Sequence, residues 1–300
     1  MGRSGCVSIV LGLALAAPAR AAERPVEVLE PVTPWTLNYD AEQCALMRDF
    51  GPEDNRLRLQ IESYGSASDY RFLLAGKPIP HSRGASGEVR YGFSADTVER
   101  DETMSLEGTT GRDVAAISFG GNFRPWEPAP DYARMSMRDQ LALSAQPKAP
   151  MPEFEREVDR MSVAIGNRAR LELHLGRMEK PLQAMRACIE DLQRSWGLDP
   201  ALQARLSRYP VPYPSTVRNV QSDYPQSMVL QGASAFVPVR IMVDAQGRPT
   251  DCVVQVPQIE RAFSEAVCSN LAGRFDPALD DTGSPAAAMY RTSVIYTLRR

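Results

Sequence analysis

The pair of residues best suited to moving a proton is His174 with Glu172, two apart in Leu171-Glu172-Leu173-His174-Leu175. On an extended strand they share a face, and a carboxylate so placed orients an imidazole as a general base. The ordinary role of such a pair is a solvated or hydrogen-bonded strand contact, and that is the expected one here. Glu153, Glu155, Glu157 and Asp159 gather carboxylates near an expected helix start, where attraction to the helix dipole accounts for them without catalysis. Gly120-Gly121-Asn122 invites a phosphate-loop reading, but Phe123-Arg124-Pro125-Trp126 follows with neither a helix nor a lysine, so a flexible turn is expected. The sequence has no G-x-S-x-G, H-E-x-x-H, Walker-type or helix-opening G-x-G-x-x-G motif. His81 and His174 lack partners at metal-ligand spacing, and no C-x-x-C pair exists, so no metal site, cofactor or catalytic residue is expected. Trp35, Trp126 and Trp196 read as core or interface aromatics.

The N-terminus bears on where the chain works. Met1-Gly2-Arg3 is a short basic start, Val7 to Ala17 is apolar, and Ala19-Arg20-Ala21 is a small-residue cleavage site, together the pattern of a secretory signal peptide over residues 1–21. The apolar run is shorter than the roughly 20 residues a spanning helix needs. The expectation is a protein exported to the periplasm and cleaved near Ala21, with no membrane span afterwards. The alternative is that the apolar run stays as an anchor, on the periplasmic side of the inner membrane. A net charge of -3 gives no electrostatic reason to bind nucleic acid or an anionic membrane surface.

Cys6 is expected to leave with the signal, so Cys44, Cys188, Cys252 and Cys268 remain, an even number for an oxidising compartment. Four cysteines permit three pairings. Cys252 on a strand and Cys268 on the flank of the helix crossing it make a local bridge, leaving Cys44 with Cys188. The other reading is that some of the four are buried free thiols.

The elements that position these residues divide the chain into an α+β domain over 24–200, a linker over 201–214 and a smaller unit over 215–300. In the larger part, Ala41, Cys44, Ala45, Met47 and Arg48 suggest a short helix within Tyr39 to Phe50, ended by Gly51-Pro52. Arg56 to Glu62, Tyr70 to Ala75, Glu88 to Phe93 and Asp113 to Phe119 alternate as strands of antiparallel hairpins. A helix is expected over Glu153 to Ala164 and a strand over Arg168 to Leu175. Pro181 then opens a helix with Leu182, Met185, Cys188, Ile189 and Leu192 on one stripe, ended by Gly197.

In the last part, Val237, Val239, Ile241 and Val243 alternate with Pro238, Arg240 and Met242, and Asp244-Ala245-Gln246-Gly247 supplies a turn glycine. A second strand runs from Thr250 and stops at Pro257. Ile259, Ala262, Phe263, Ala266, Val267 and Leu271 form a helical stripe, and Tyr290 to Leu298 alternates again. The predicted order is β-β-α-β with a three-stranded antiparallel sheet.

With Ser222-Asp223-Tyr224-Pro225 ahead of it and Phe275-Asp276-Pro277-Ala278 within it, this unit resembles the C-terminal domain of TonB-family energy transducers. The resemblance covers about residues 215–300. It implies a protein-binding module, not an enzyme, associated with transport across the outer membrane. Such a module receives a short extended peptide, from an outer-membrane receptor or another periplasmic protein, at an open sheet edge. Carried over to matching positions, the contact comprises Gln221, Tyr224 and Pro225 with the backbone of Tyr290 to Ile295, including Thr292 and Val294. Tyr224 and Pro225 also suit a packing role that sets the entry of the chain. An open edge also permits a homodimer. The sequence departs from the best-known members, which keep an uncleaved anchor and a long Pro-rich spacer, and this puts coupling to an inner-membrane motor in doubt. The competing function is an exported ligand-binding protein or hydrolase with its site in the 24–200 domain.

Overall fold

The computed structural model describes residues 24–298 apart from 83–85, 112 and 257. The expected signal peptide and the strand stop at Pro257 lie outside the described residues. The fold is α+β. One sheet contains β1 (Glu27–Leu29), β2 (Thr36–Tyr39), β3 (Cys44–Phe50), β4 (Leu57–Ser63), β5 (Tyr70–Gly76), β6 (Ser86–Phe93), β7 (Thr103–Thr110), β8 (Val114–Gly121), β9 (Arg160–Ile165) and β10 (Ala169–His174). Their spatial order is β1-β10-β9-β6-β7-β8-β5-β4-β3-β2.

Two corners curl this sheet. The first half of β6 pairs with β7 and its second half with β9. At the other corner the chain pairs as β1 with β10, then bridges from Pro31 to Phe50 of β3, with Gly51 N–H donating to Glu30 O at 2.8 Å. The two ends of the sheet are thereby brought together. Tyr70, Phe72 and Leu74 of β5, with Leu57, Leu59 and Ile61 of β4, turn inward at period two into one apolar cluster.

Between β8 and β9 lie α1 (Met137–Ser144) and α2 (Pro152–Glu157). After β10, α3 (Glu179–Ser195) buries Leu182, Met185, Cys188, Ile189 and Leu192 in the same cluster, as the stripe predicts. Two connections hold α3 in place. Cys188 is disulfide-bonded to Cys44 of β3, and Arg186 donates to both carboxylate oxygens of the buried Glu155 at 2.9 and 2.8 Å.

Two expected helices are corrected. Tyr39 to Phe50 is the β2–β3 hairpin, because Cys44 to Phe50 pairs residue for residue with β4. Pairing across a sheet outweighs a local spacing that fits both periods. The helix over Glu153 to Ala164 ends at Glu157, and Arg160–Ile165 is a strand with Met161, Val163 and Ile165 facing the core. Glu155 makes an ion pair across to α3, beyond any dipole role. Strand β7 was not expected.

Residues 201–214 are structured: α4 (Pro200–Ala204) and β11 (Val211–Pro212) precede α5 (Pro214–Ser222) and α6 (Gln226–Gln231). Then follow β12 (Ala235–Val243), β13 (Pro249–Val254), α7 (Arg261–Leu271), the two-residue strands β14 (Phe275–Asp276), β15 (Ala278–Leu279) and β16 (Pro285–Ala286), and β17 (Ala288–Tyr296). Strand β11 pairs with β14, and Leu206 joins Ala278, Ala286 and Ala288 in a small cluster of its own. The C-terminal sheet is antiparallel in the order β13-β12-β17, so the expected β-β-α-β order and three strands are present. Gly247 takes the positive φ expected of it, and its carbonyl accepts from Phe275 N–H at 3.0 Å. Cys252 of β13 is disulfide-bonded to Cys268 of α7.

Candidate functional site

The C-terminal sheet has two differently covered faces. Val237, Val239, Ile241 and Val243 pack under Phe263, Val267 and Leu271 of α7. On the other face, Arg240 is 4 % exposed, bonds Glu42 at 3.1–3.3 Å and lies 4.4 Å from the ring centroid of Trp196. Trp196 Nε1 donates to Ala41 O, and Gln255 Nε2 donates to Glu42 O, each at 3.1 Å. Gly65 lies against Trp196 and Met289, where a Cβ would stand 2.9 Å from the Trp196 ring and 3.1 Å from the Met289 methyl. This seam holds the C-terminal sheet against the large sheet.

Strand β17 ends the sheet order, and among the described residues no strand pairs with its outer side. The direction of its backbone groups follows from β12. Gln255 N–H donates to Pro238 O, so the even-numbered residues of β12 address β13 and the odd-numbered ones address β17. In the register of β12 with β17, Tyr290, Thr292 and Val294 lie opposite Ile241, Val239 and Val237. These three residues therefore use their backbone groups on β12. Arg291, Ser293 and Ile295 turn theirs outward, and they are the open edge.

Beside that edge a cleft of about 500 Å³ separates the two sheets, with Glu62, Arg71, Phe236, Arg291, Ser293 and Ile295 among its walls. A smaller cleft of about 230 Å³ adjoins it, sharing Arg71 and Phe236 and reaching Thr297. The floor is a buried polar network. Glu62 accepts from Gln60 at 2.7 Å and Tyr64 at 3.0 Å and pairs with Arg71 at 3.5 Å, while Arg71 also donates to Ser118 and stacks on Phe236 at 4.0 Å. Burial pushes the Tyr64 hydroxyl well up, and the adjacent Glu62 carboxylate adds to it, so Tyr64 stays a neutral donor.

The remaining predicted contact residues are distributed as follows. Tyr224 packs edge-on to Phe263 and Tyr296, with ring centroids 6.0 and 5.1 Å away, and its hydroxyl donates to Ala233 O. Pro225 precedes α6 and its carbonyl accepts from Met228 N–H at 2.9 Å. Gln221 lies in α5, and its side chain is outside the described residues. Tyr290 packs on Phe275, and burial raises its hydroxyl pKa. Tyr224 thus packs in the core of the C-terminal unit and Pro225 stands at the start of α6, while Tyr290, Thr292 and Val294 lie on the strand whose neighbours form the edge. The second wall of the cleft escaped sequence reasoning. Phe236, Pro238 and Met242, apolar on the second face of β12, were the signal that this face is covered too.

The other chemical candidates are placed as follows. His174 lies between Glu30 at 2.7 Å and Glu172 at 3.1 Å, beside the β1–β10 pairing. Gly121 ends β8 with Phe72 and Tyr91 against it, so the Gly-Gly pair belongs to a strand and not to a turn. Among the described residues no group of His, Cys, Asp and Glu has a metal-binding arrangement, and no helix is long and apolar enough to cross a membrane. Compared with known proteins, the chain matches no family model, no curated protein and no solved structure.

Proposed function

We propose that this chain is an exported, periplasmic, TonB-like docking protein, not an enzyme. Its C-terminal sheet accepts an extended segment of a partner by strand addition, in association with transport across the outer membrane. The observation that carries this reading is the unpaired outer side of β17, a nine-residue strand with outward backbone groups at Arg291, Ser293 and Ile295. Strand addition draws affinity from such backbone groups and selectivity from alternate side chains, which suits a receptor segment or a periplasmic assembly component. The order β-β-α-β after Tyr224-Pro225 supports the same class. The same edge in two copies would pair to give a homodimer.

Ser293→Pro tests it. Proline there removes an outward N–H without touching the β12 ladder, a position edge strands tolerate. Binding of extended peptides should fall about tenfold or more, with the thermal unfolding curve little changed. Thr292→Pro, which removes a donor to β12, should instead lower stability. Unchanged binding in folded Ser293→Pro would end the reading. Cell fractionation tests the location: an N-terminus near Ala22 in the soluble periplasmic fraction is expected, and an intact Met1 in membranes would contradict it.

The second reading, an exported ligand-binding protein or hydrolase, draws on another cleft of about 490 Å³ with Asp69, Asp101, Glu102, Glu127 and Trp126 on its walls. An acidic wall with an indole suits a cationic amine. A rise in Tm with polyamines that Trp126→Ala removes would favour it, and no rise would end it.

A further inference from the structure

Arg240 and Arg291 stand directly opposite each other on neighbouring strands, on the face of the C-terminal sheet that looks into the cleft. Like charges so placed repel, yet the two are neutralised unequally. Arg240 has Glu42 at 3.1 Å and Asp251 at 3.6 Å. Arg291 makes no ion pair among the described residues, and its guanidinium has only the ring of Tyr209, 5.7 Å from the centroid. Of the two carboxylates that line the cleft, Glu62 is taken by Gln60, Tyr64 and Arg71, and Asp69 accepts from the hydroxyls of Ser66 and Ser68.

Among the described residues no strand pairs with the outer side of β17, so the next position in this row has an unambiguous address. Because the backbone of Arg291 turns outward, a strand added to β17 would place one residue directly opposite Arg291. That residue's side chain would emerge on the same face, over the cleft. We infer that the occupant of the β17 edge is an acidic extended segment whose Asp or Glu lies opposite Arg291 and completes the row with a charge-assisted hydrogen bond. Ser293, two residues on and on the same face, lines the cleft with Pro238 opposite it. Ser293 brings no charge, so selectivity for acid is confined to one position. The inference rests on the strand-addition reading and adds what the edge selects.

The test uses fluorescein-labelled short peptides of alternating Thr and Val with a single central Asp, Asn or Lys, titrated by anisotropy into the full chain. The Asp peptide should bind about tenfold tighter than the Asn peptide, the size expected of one charge-assisted contact, and the Lys peptide weaker than either. Arg291→Gln should erase the Asp preference while binding the Asn peptide as before, and added salt should narrow the gap in the unsubstituted protein only. Arg291→Lys, which keeps the charge, should retain part of it. Equal affinity for Asp and Asn peptides, with binding still lost in Ser293→Pro, would overturn the acidic selection and leave strand addition standing. No binding of any peptide, or binding indifferent to Ser293→Pro, would overturn both.

Discussion

The large sheet and the C-terminal sheet manage their edges in opposite ways. The ten-stranded sheet curls until Pro31 bridges to Phe50, and its terminal strands among the described residues are short, β1 with three residues and β2 with four. The three-stranded sheet covers both faces, one with α7 and one with the large sheet, but among the described residues no strand pairs with the outer side of its terminal strands β13 and β17, the latter nine residues long. Unpaired strand edges are hazards that proteins ordinarily blunt. The open β17 edge beside the cleft is the observation on which the proposed docking rests.

The contrast can be broken or sharpened at four places. The largest effect belongs to the disulfide Cys44–Cys188, which closes a loop spanning 144 residues. In the chain-entropy model, replacing both by Ser should cost about 5 kcal/mol, read as a lower denaturant midpoint for the large sheet. Replacing Cys252 and Cys268, 16 residues apart, should cost about 3 kcal/mol, and if the C-terminal sheet is the less cooperative unit its near-ultraviolet signal should be lost first. Glu42→Ala removes the main counter-ion of Arg240 and should cost about 2 kcal/mol. Hydrogen exchange should then quicken at Ala41, Gln255 and Met289 along the seam and not in β4 or β5.

The smallest effect is acid-linked. The Arg58 side chain bonded to Asp49, directly opposite it across β3 and β4, holds the Asp49 carboxyl below its usual range. A depressed carboxyl stabilises the fold above its unfolded pKa, and that contribution is lost as pH falls through the lower folded value. Arg58 is more than half exposed, so Asp49→Asn should cost only about 0.5 kcal/mol at neutral pH and almost nothing once the pH has fallen through the depressed folded value.

The C-terminal unit was readable because its information is local. Four apolar residues alternate in β12, Asp244 accepts from the N–H groups of Gln246 and Arg248 at 2.9 Å in the turn, and a one-sided stripe runs down α7. The α3 stripe was readable for the same reason. The errors occur where a distant partner decides. Cys44 to Phe50 carries a spacing that suits a helix, but β2 and β4 on either side make it a strand. Strand β7 was invisible because Ser105 is its buried residue and Met104 is exposed, so no apolar alternation marks it. The candidate site was half legible. Its strand followed from alternation at Tyr290 to Leu298, but the odd-numbered outward backbone and the Arg240–Arg291 row depend on register with β12, which no residue pattern within β17 encodes.

The central claim is that the outer side of β17 receives a partner's strand. Amide hydrogen exchange on the full chain, with and without the Asp-bearing Thr-Val peptide, tests it residue by residue. The account predicts that amides of Arg291, Ser293 and Ile295 slow on binding, while those of Tyr290, Thr292 and Val294, already bonded to β12, change little. Bound peptide with these outward amides unchanged, or with protection appearing instead along β2, would contradict it.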